Sequence, residues 1–174
     1  MSTARKSEKV FVKWLLRGPE RMRDTGEKVV ATIVPLIENA GFIWVDKTFD
    51  IGPVQANQIA LERANVDRSV DFISIYFDKY RKPKFEVWGG TKRPDTPNDW
   101  EWVKGATLVW KQDDGYRYKQ WAPNWWQLSR TAAKTKVVND VARYIPQMIG
   151  YLNGEPPGPN VRVSKIGPNR TQKL

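Results

Sequence analysis

Residues 58–90 read QIALERANVDRSVDFISIYFDKYRKPKFEVWGG, and the fold turns on this stretch. Apolar and polar side chains alternate through Gln58–Asn65, Val70–Asp78 and Lys84–Gly89, the period of half-buried strands. The alternation also sets the pairing, because a slip of one residue would carry every apolar side chain to the wrong face. Pairing Ile59 with Ile75, Leu61 with Ile73 and Arg63 with Asp71 leaves Val66-Asp67-Arg68 as a turn. Pairing Phe77 with Phe85 and Ile75 with Val87 leaves Lys79 to Pro83 as a loop. One face then carries Ile59, Leu61, Ile73, Ile75, Phe77, Phe85 and Val87. Arg63 and Asp71 fall on the same face, where pairing would satisfy both charges at the core edge. The other face carries Gln58, Glu62, Phe72, Ser74, Tyr76, Asp78, Lys84, Glu86 and Trp88. It is expected to be plain surface or to lie under a helix or the tryptophan-rich segment, with a ligand-facing surface as the alternative.

Outward from this sheet the period changes to that of helices. Thr25 to Asn39 carries an apolar stripe of Val29, Val30, Ile33, Val34 and Ile37, with a kink expected at Pro35. Thr131–Leu152 carries another, including Val138, Val141, Ile145 and Ile149, with a kink expected at Pro146. Phe42–Asp50 reads as a first strand, and Thr107–Gln112 and Tyr116–Trp121 flank the hairpin signal Asp113-Asp114-Gly115. Residues 91–99 (TKRPDTPND) read as a proline-rich loop. The expected fold is α+β: an antiparallel meander of five or six strands with two long helices on one face. Residues 1–18 hold a basic amphipathic helix, with Val10, Phe11, Trp14 and Leu15 opposite Lys6, Lys9, Lys13 and Arg17. It is expected to dock on its own domain, and its basic face would also suit a partner or a membrane surface. Residues 19–153 form the single domain, and 154–174, dense in Pro and Gly, read as a disordered basic tail.

The composition closes several chemistries. Of 174 residues none is histidine or cysteine, which removes the commonest general base, thiol nucleophiles, disulfides and the usual zinc ligands. No stretch approaches the roughly 18 apolar residues of a membrane span, so a cytoplasmic protein is expected. The net charge of +10 favours anionic partners. It is unevenly placed: residues 79–136 hold thirteen basic and six acidic groups, whereas 25–78 hold four and eight.

The densest basic cluster, Lys79, Tyr80, Arg81, Lys82 and Lys84, falls at the tip of the central hairpin. Tyr76 and Trp88 lie behind it on the polar face, with Lys92 and Arg93 at the far end of the following strand. Cations interleaved with aromatics suit nucleic acid, neutralising phosphates and stacking on bases. Lysine-rich hairpin tips also serve simply to keep sheet edges soluble. Trp125 and Trp126 beside Pro123 are the candidate protein-partner surface. Asp78, Lys84 and Glu86 are the one constellation resembling a metal-dependent nuclease centre, although Lys84-Phe85-Glu86 reverses the usual Glu-x-Lys order. Glu62 and Glu86 share a face but lie roughly 16 Å apart at ordinary strand spacing, too far for a glycosidase pair.

The run from Gly41-Phe42 through Phe49, with Ile59-Ala60-Leu61-Glu62-Arg63 and Phe72-Ile73-Ser74-Ile75-Tyr76-Phe77, resembles an uncharacterised bacterial family of small α+β domains. Some of its members resemble immunity proteins encoded beside toxins. The resemblance covers residues 30–90 and transfers no functional residue. Three readings follow: a non-catalytic binder of an anionic partner, foremost nucleic acid; a protein-inhibitor or immunity-type module; and a carboxylate nuclease. The first, which needs no cofactor, is expected.

Overall fold

The computed structural model describes residues 6–48, 52–96, 99–110, 121–123 and 131–164. Three helices come first: α1 (Lys6–Leu16), α2 (Glu20–Thr32) and α3 (Val34–Glu38). Three short strands follow, β1 (Ile43–Trp44), β2 (Lys47–Thr48) and β3 (Gly52–Pro53). The long strands are β4 (Gln58–Ala64), β5 (Val70–Phe77), β6 (Phe85–Thr96) and β7 (Asp99–Leu108). Helix α4 (Thr131–Leu152) and strand β8 (Val161–Val163) complete the order. Six strands form one sheet in the order β1-β4-β5-β6-β7-β8, antiparallel throughout, while β2 and β3 make a separate ribbon. The α2–α3 pair and α4 pack against the large sheet, as the apolar pattern requires. Among the described residues no helix is long and apolar enough to cross a membrane.

The register follows the alternation. Ile59 faces Ile75, Leu61 faces Ile73 and Arg63 faces Asp71 across β4 and β5, and Phe77 faces Phe85 across β5 and β6. Ile59, Leu61, Ile73, Ile75, Phe77, Phe85 and Val87 enter one core with Val29, Ile33 and Ile37 of the first helices and Val141, Ile145 and Met148 of α4. Full burial of each such side chain contributes about 1.5–3 kcal/mol.

Several expectations are corrected. The second helix starts at Glu20, directly after Pro19, whose fixed φ suits a helix entrance. Its polar first turn ERMRD hid the start, yet Met22 is fully buried. At Pro35 the helix breaks rather than kinks: α2 ends at Thr32 and α3 restarts with Pro35 in its first turn, where no amide hydrogen is needed. Helix α4 continues through Pro146, whose ring lies on the exposed side. Among the described residues of the expected first strand, Ile43–Trp44 joins the large sheet and Lys47–Thr48 pairs with β3 instead. Residues 91–96, expected in a loop, extend β6 and pair with β7, with register shifts at Thr91/Lys92 and Pro94/Thr96 that absorb the proline. Strand β7 correspondingly starts at Asp99 and ends at Leu108. The expected tail contributes β8, where Val161 is buried opposite Leu108. The Asp113-Asp114-Gly115 hairpin lies outside the described residues, but Trp121 bridges to Phe85.

Polar chemistry closes one end of the core. Asp71 is buried and accepts from Thr91 Oγ1 and from Arg63 Nη2, both at 2.6 Å. Arg63 also donates to the Ala40 carbonyl, just past α3, and to Asn153 Oδ1, just past α4. Lys104 Nζ donates to the carbonyls of Tyr151 and Leu152, the last residues of α4. Two cations thus serve the unpaired carbonyls and the negative dipole ends of the helices.

Candidate functional site

The β5–β6 connection is an organised turn. Asp78 Oδ1 accepts from the amides of Tyr80 at 2.9 Å and Lys82 at 3.4 Å, and Oδ2 pairs with Lys84 Nζ at 3.2 Å. The Arg81 amide donates to the Asp78 carbonyl at 2.9 Å. Burial acts to raise the Asp78 carboxyl, but the Lys84 ammonium and the Lys82 and Tyr80 amides outweigh it and hold the group below its ordinary range. Arg81 has φ of 59°, left-handed backbone that a non-glycine residue adopts only at a cost.

The same arginine reaches the first helix. Arg81 Nη1 donates to the Arg17 carbonyl at 2.6 Å, and its guanidinium lies 5.9 Å from the Trp14 ring centre. Trp14 in turn packs on Phe11 and Phe77, which anchor α1 over the core face. Helix α1 therefore docks on the domain with Phe11 and Leu15 buried, and its last turn lies beside the hairpin tip. Arg81 turns inward, while Lys79, Tyr80 and Lys82 remain exposed, as do Lys13 on α1 and Arg17 just beyond it. This contact joins two basic segments far apart in sequence.

The remaining sequence-predicted residues divide. Tyr76 is half-buried and accepts from Gln58 Nε2 at 3.0 Å, while Trp88 is half-buried and donates from Nε1 to Glu86 at 3.1 Å. Arg93 pairs with Asp67 across the β4–β5 turn at 3.2 Å. Lys92 is only 6% exposed, with Nζ 5.0 Å from the Phe72 ring centre. These two lie seven or eight residues along β6 from the hairpin tip, roughly 25 Å away at ordinary strand rise. They belong to a different part of the surface. Trp125 and Trp126 lie outside the described residues.

Asp78, Lys84 and Glu86 do come together, lining a cavity of about 280 Å³ with Gln55, Asn57 and Tyr76. Both Asp78 oxygens are already engaged in the turn, and Glu86 holds the Trp88 indole. Among the described residues no group of three or more metal-ligating side chains converges.

The polar face also holds two charged side chains, Glu62 and Lys92, whose burial the sequence did not mark. It is polar and partly covered: Gln58, Ser74 and Thr107 are buried, and Gln58 Nε2 donates to both Ser74 Oγ and the Tyr76 hydroxyl. Glu62 is 8% exposed, and burial raises its carboxyl to about 7. Burial likewise lowers the Lys92 ammonium to about 8. Both charges flank Phe72, which is the cross-strand neighbour of Glu62. Alternation alone marks such positions as facing away from the core, with no signal that they are desolvated. Compared with known proteins, the chain matches no family model, no curated protein and no solved structure at a significant level.

Proposed function

We propose that this protein is a non-catalytic binder of nucleic acid, acting through the platform that the hairpin tip and the last turn of α1 share. The observation that carries the reading is the Arg81–Arg17 contact, which brings the turn carrying Lys79 and Lys82 against the end of α1, where Lys13 and Arg17 are exposed. Exposed cations on two adjoining segments attract a polyanion more strongly than scattered ones, and the chain's net charge of +10 adds long-range steering. Arginine and lysine contacts to phosphate carry no base information, so binding is expected to be largely indifferent to sequence. The engagement of Asp78 within its turn favours this reading over the nuclease one, because a metal would have to displace Lys84 and two amides.

The test is a salt titration of DNA and RNA binding. With about four phosphates neutralised, log K should fall against log salt with a slope near −3.6 on duplex. The Lys79→Glu, Lys82→Glu double variant should flatten that slope and weaken binding to every sequence alike. Absence of binding at low salt, or binding unchanged in the double variant, would remove the proposal.

A further inference from the structure

We infer that the platform takes unpaired strands in preference to duplex, with Tyr80 as the residue on which a base stacks; this rests on the nucleic-acid reading above. Tyr80 is 73% exposed, against 56% for Trp110. An exposed ring on a mobile loop would lose much freedom on binding. Here the loop is held from several sides. Asp78 binds the Tyr80 amide itself, the Arg81 amide closes the turn on Asp78, and the Arg81 guanidinium is tied to Arg17 and laid over Trp14. The left-handed backbone at Arg81 is what allows its side chain to turn back while its neighbour's ring stays out. Lys79 Nζ lies 5.0 Å from the Tyr80 ring centre, so a cation accompanies the stacking face.

The chemistry then separates the two forms of nucleic acid. Lysines meet phosphates on either form. A ring gains only where a base face is free, and in a duplex both faces of each internal base are already stacked. One pre-positioned aromatic amid cations is thus a device that discriminates by strandedness rather than by sequence. Tyr76 and Trp88 are half-buried and hydrogen-bonded elsewhere, so the contribution falls on Tyr80.

The experiment compares a twelve-nucleotide oligo-dT and oligo-U with a blunt duplex of the same length, by fluorescence anisotropy at low salt, for the full chain and two variants. The single strands are expected to bind about 10-fold or more tightly than the duplex. Tyr80→Ala should lose that margin on single strands and leave duplex binding unchanged, and Tyr80→Phe should retain it. Because the ring is exposed, both variants should unfold at the same denaturant midpoint as the parent. Equal affinity for both forms, with Tyr80→Ala changing neither, overturns this inference and leaves the broader proposal standing. No oligonucleotide binding at all overturns both, and retention on phosphatidylserine vesicles in that case would assign the platform to an anionic lipid surface.

Discussion

The guanidinium of Arg81 donates to the main-chain carbonyl of Arg17 at 2.6 Å across 64 residues of sequence. The bond serves a carbonyl just beyond α1 and holds the hairpin tip against that helix. Arg81→Ala removes it while keeping the left-handed backbone at φ of 59°. A loss of about 1 kcal/mol is expected from the missing bond. Arg81→Gly loses the same bond but regains about 1 kcal/mol of backbone strain. Urea denaturation should therefore place glycine nearer the parent than alanine, and the reverse order would show that the turn carries no strain.

Glu62 makes stability fall as pH rises. Its folded carboxyl titrates near 7, above the unfolded value, so the folded chain binds the extra proton between about pH 4.5 and 7. The penalty is absent below that window and complete above it, on the order of 3 kcal/mol. Glu62→Gln should stabilise the protein at pH 8 and change little at pH 4.5. Denaturation curves at the two pH values check it, and an equal effect at both would contradict a desolvated carboxyl.

Lys92 acts with the opposite slope and in a different window. Burial lowers its ammonium from 10.5 to about 8, so the unfolded chain binds more protons between about pH 8 and 10.5. Stability from this group rises with pH there, and the penalty is complete below pH 8. Lys92→Met keeps the stem that covers Phe72 and removes the charge. Its effect on the unfolding free energy should be more favourable at pH 7 than at pH 10.5 by on the order of 2–3 kcal/mol. An equal effect at the two pH values would mean that the ammonium titrates in its ordinary range.

Asp71→Asn should be among the most damaging single-atom changes in the chain. Asp71 is 1% exposed and serves both Arg63 and Thr91. Breaking one side of a buried pair costs about 3–5 kcal/mol, because the remaining charge stays desolvated. The double variant Arg63→Met, Asp71→Leu should recover part of that loss. Additive losses in the denaturation cycle would show that the two residues do not act as a unit.

The sheet's pairing was legible because strand alternation has a two-residue period and the core is one-sided, so Ile59, Ile75, Phe77 and Phe85 admitted a single register. Where strands are held by backbone bonds rather than by apolar contrast, the signal vanished. Gly89-Gly90 looked like the end of β6, yet these glycines leave room for neighbours. A Cβ at Gly89 would lie 2.7 Å from Met148 Sδ, and one at Gly90 would lie 2.8 Å from the Phe72 ring. β8 offers only Val161 as a buried residue, too little to stand out among the prolines around it. At the candidate site, Lys79, Tyr80 and Lys82 were found from charge density alone. The part played by α1 was not, because a contact between a side chain and a distant carbonyl leaves no pattern in either segment.

Arg63 reaches Ala40 and Asn153 as well as Asp71, so one side chain spans residues 113 positions apart. Neither helix end can fray without giving up a bond to this half-buried charge. The last turn of α4 is then not a frayed terminus but part of the slowest-opening unit of the protein. Its amides should exchange with solvent at the rate set by global unfolding, together with those of β4 and β5.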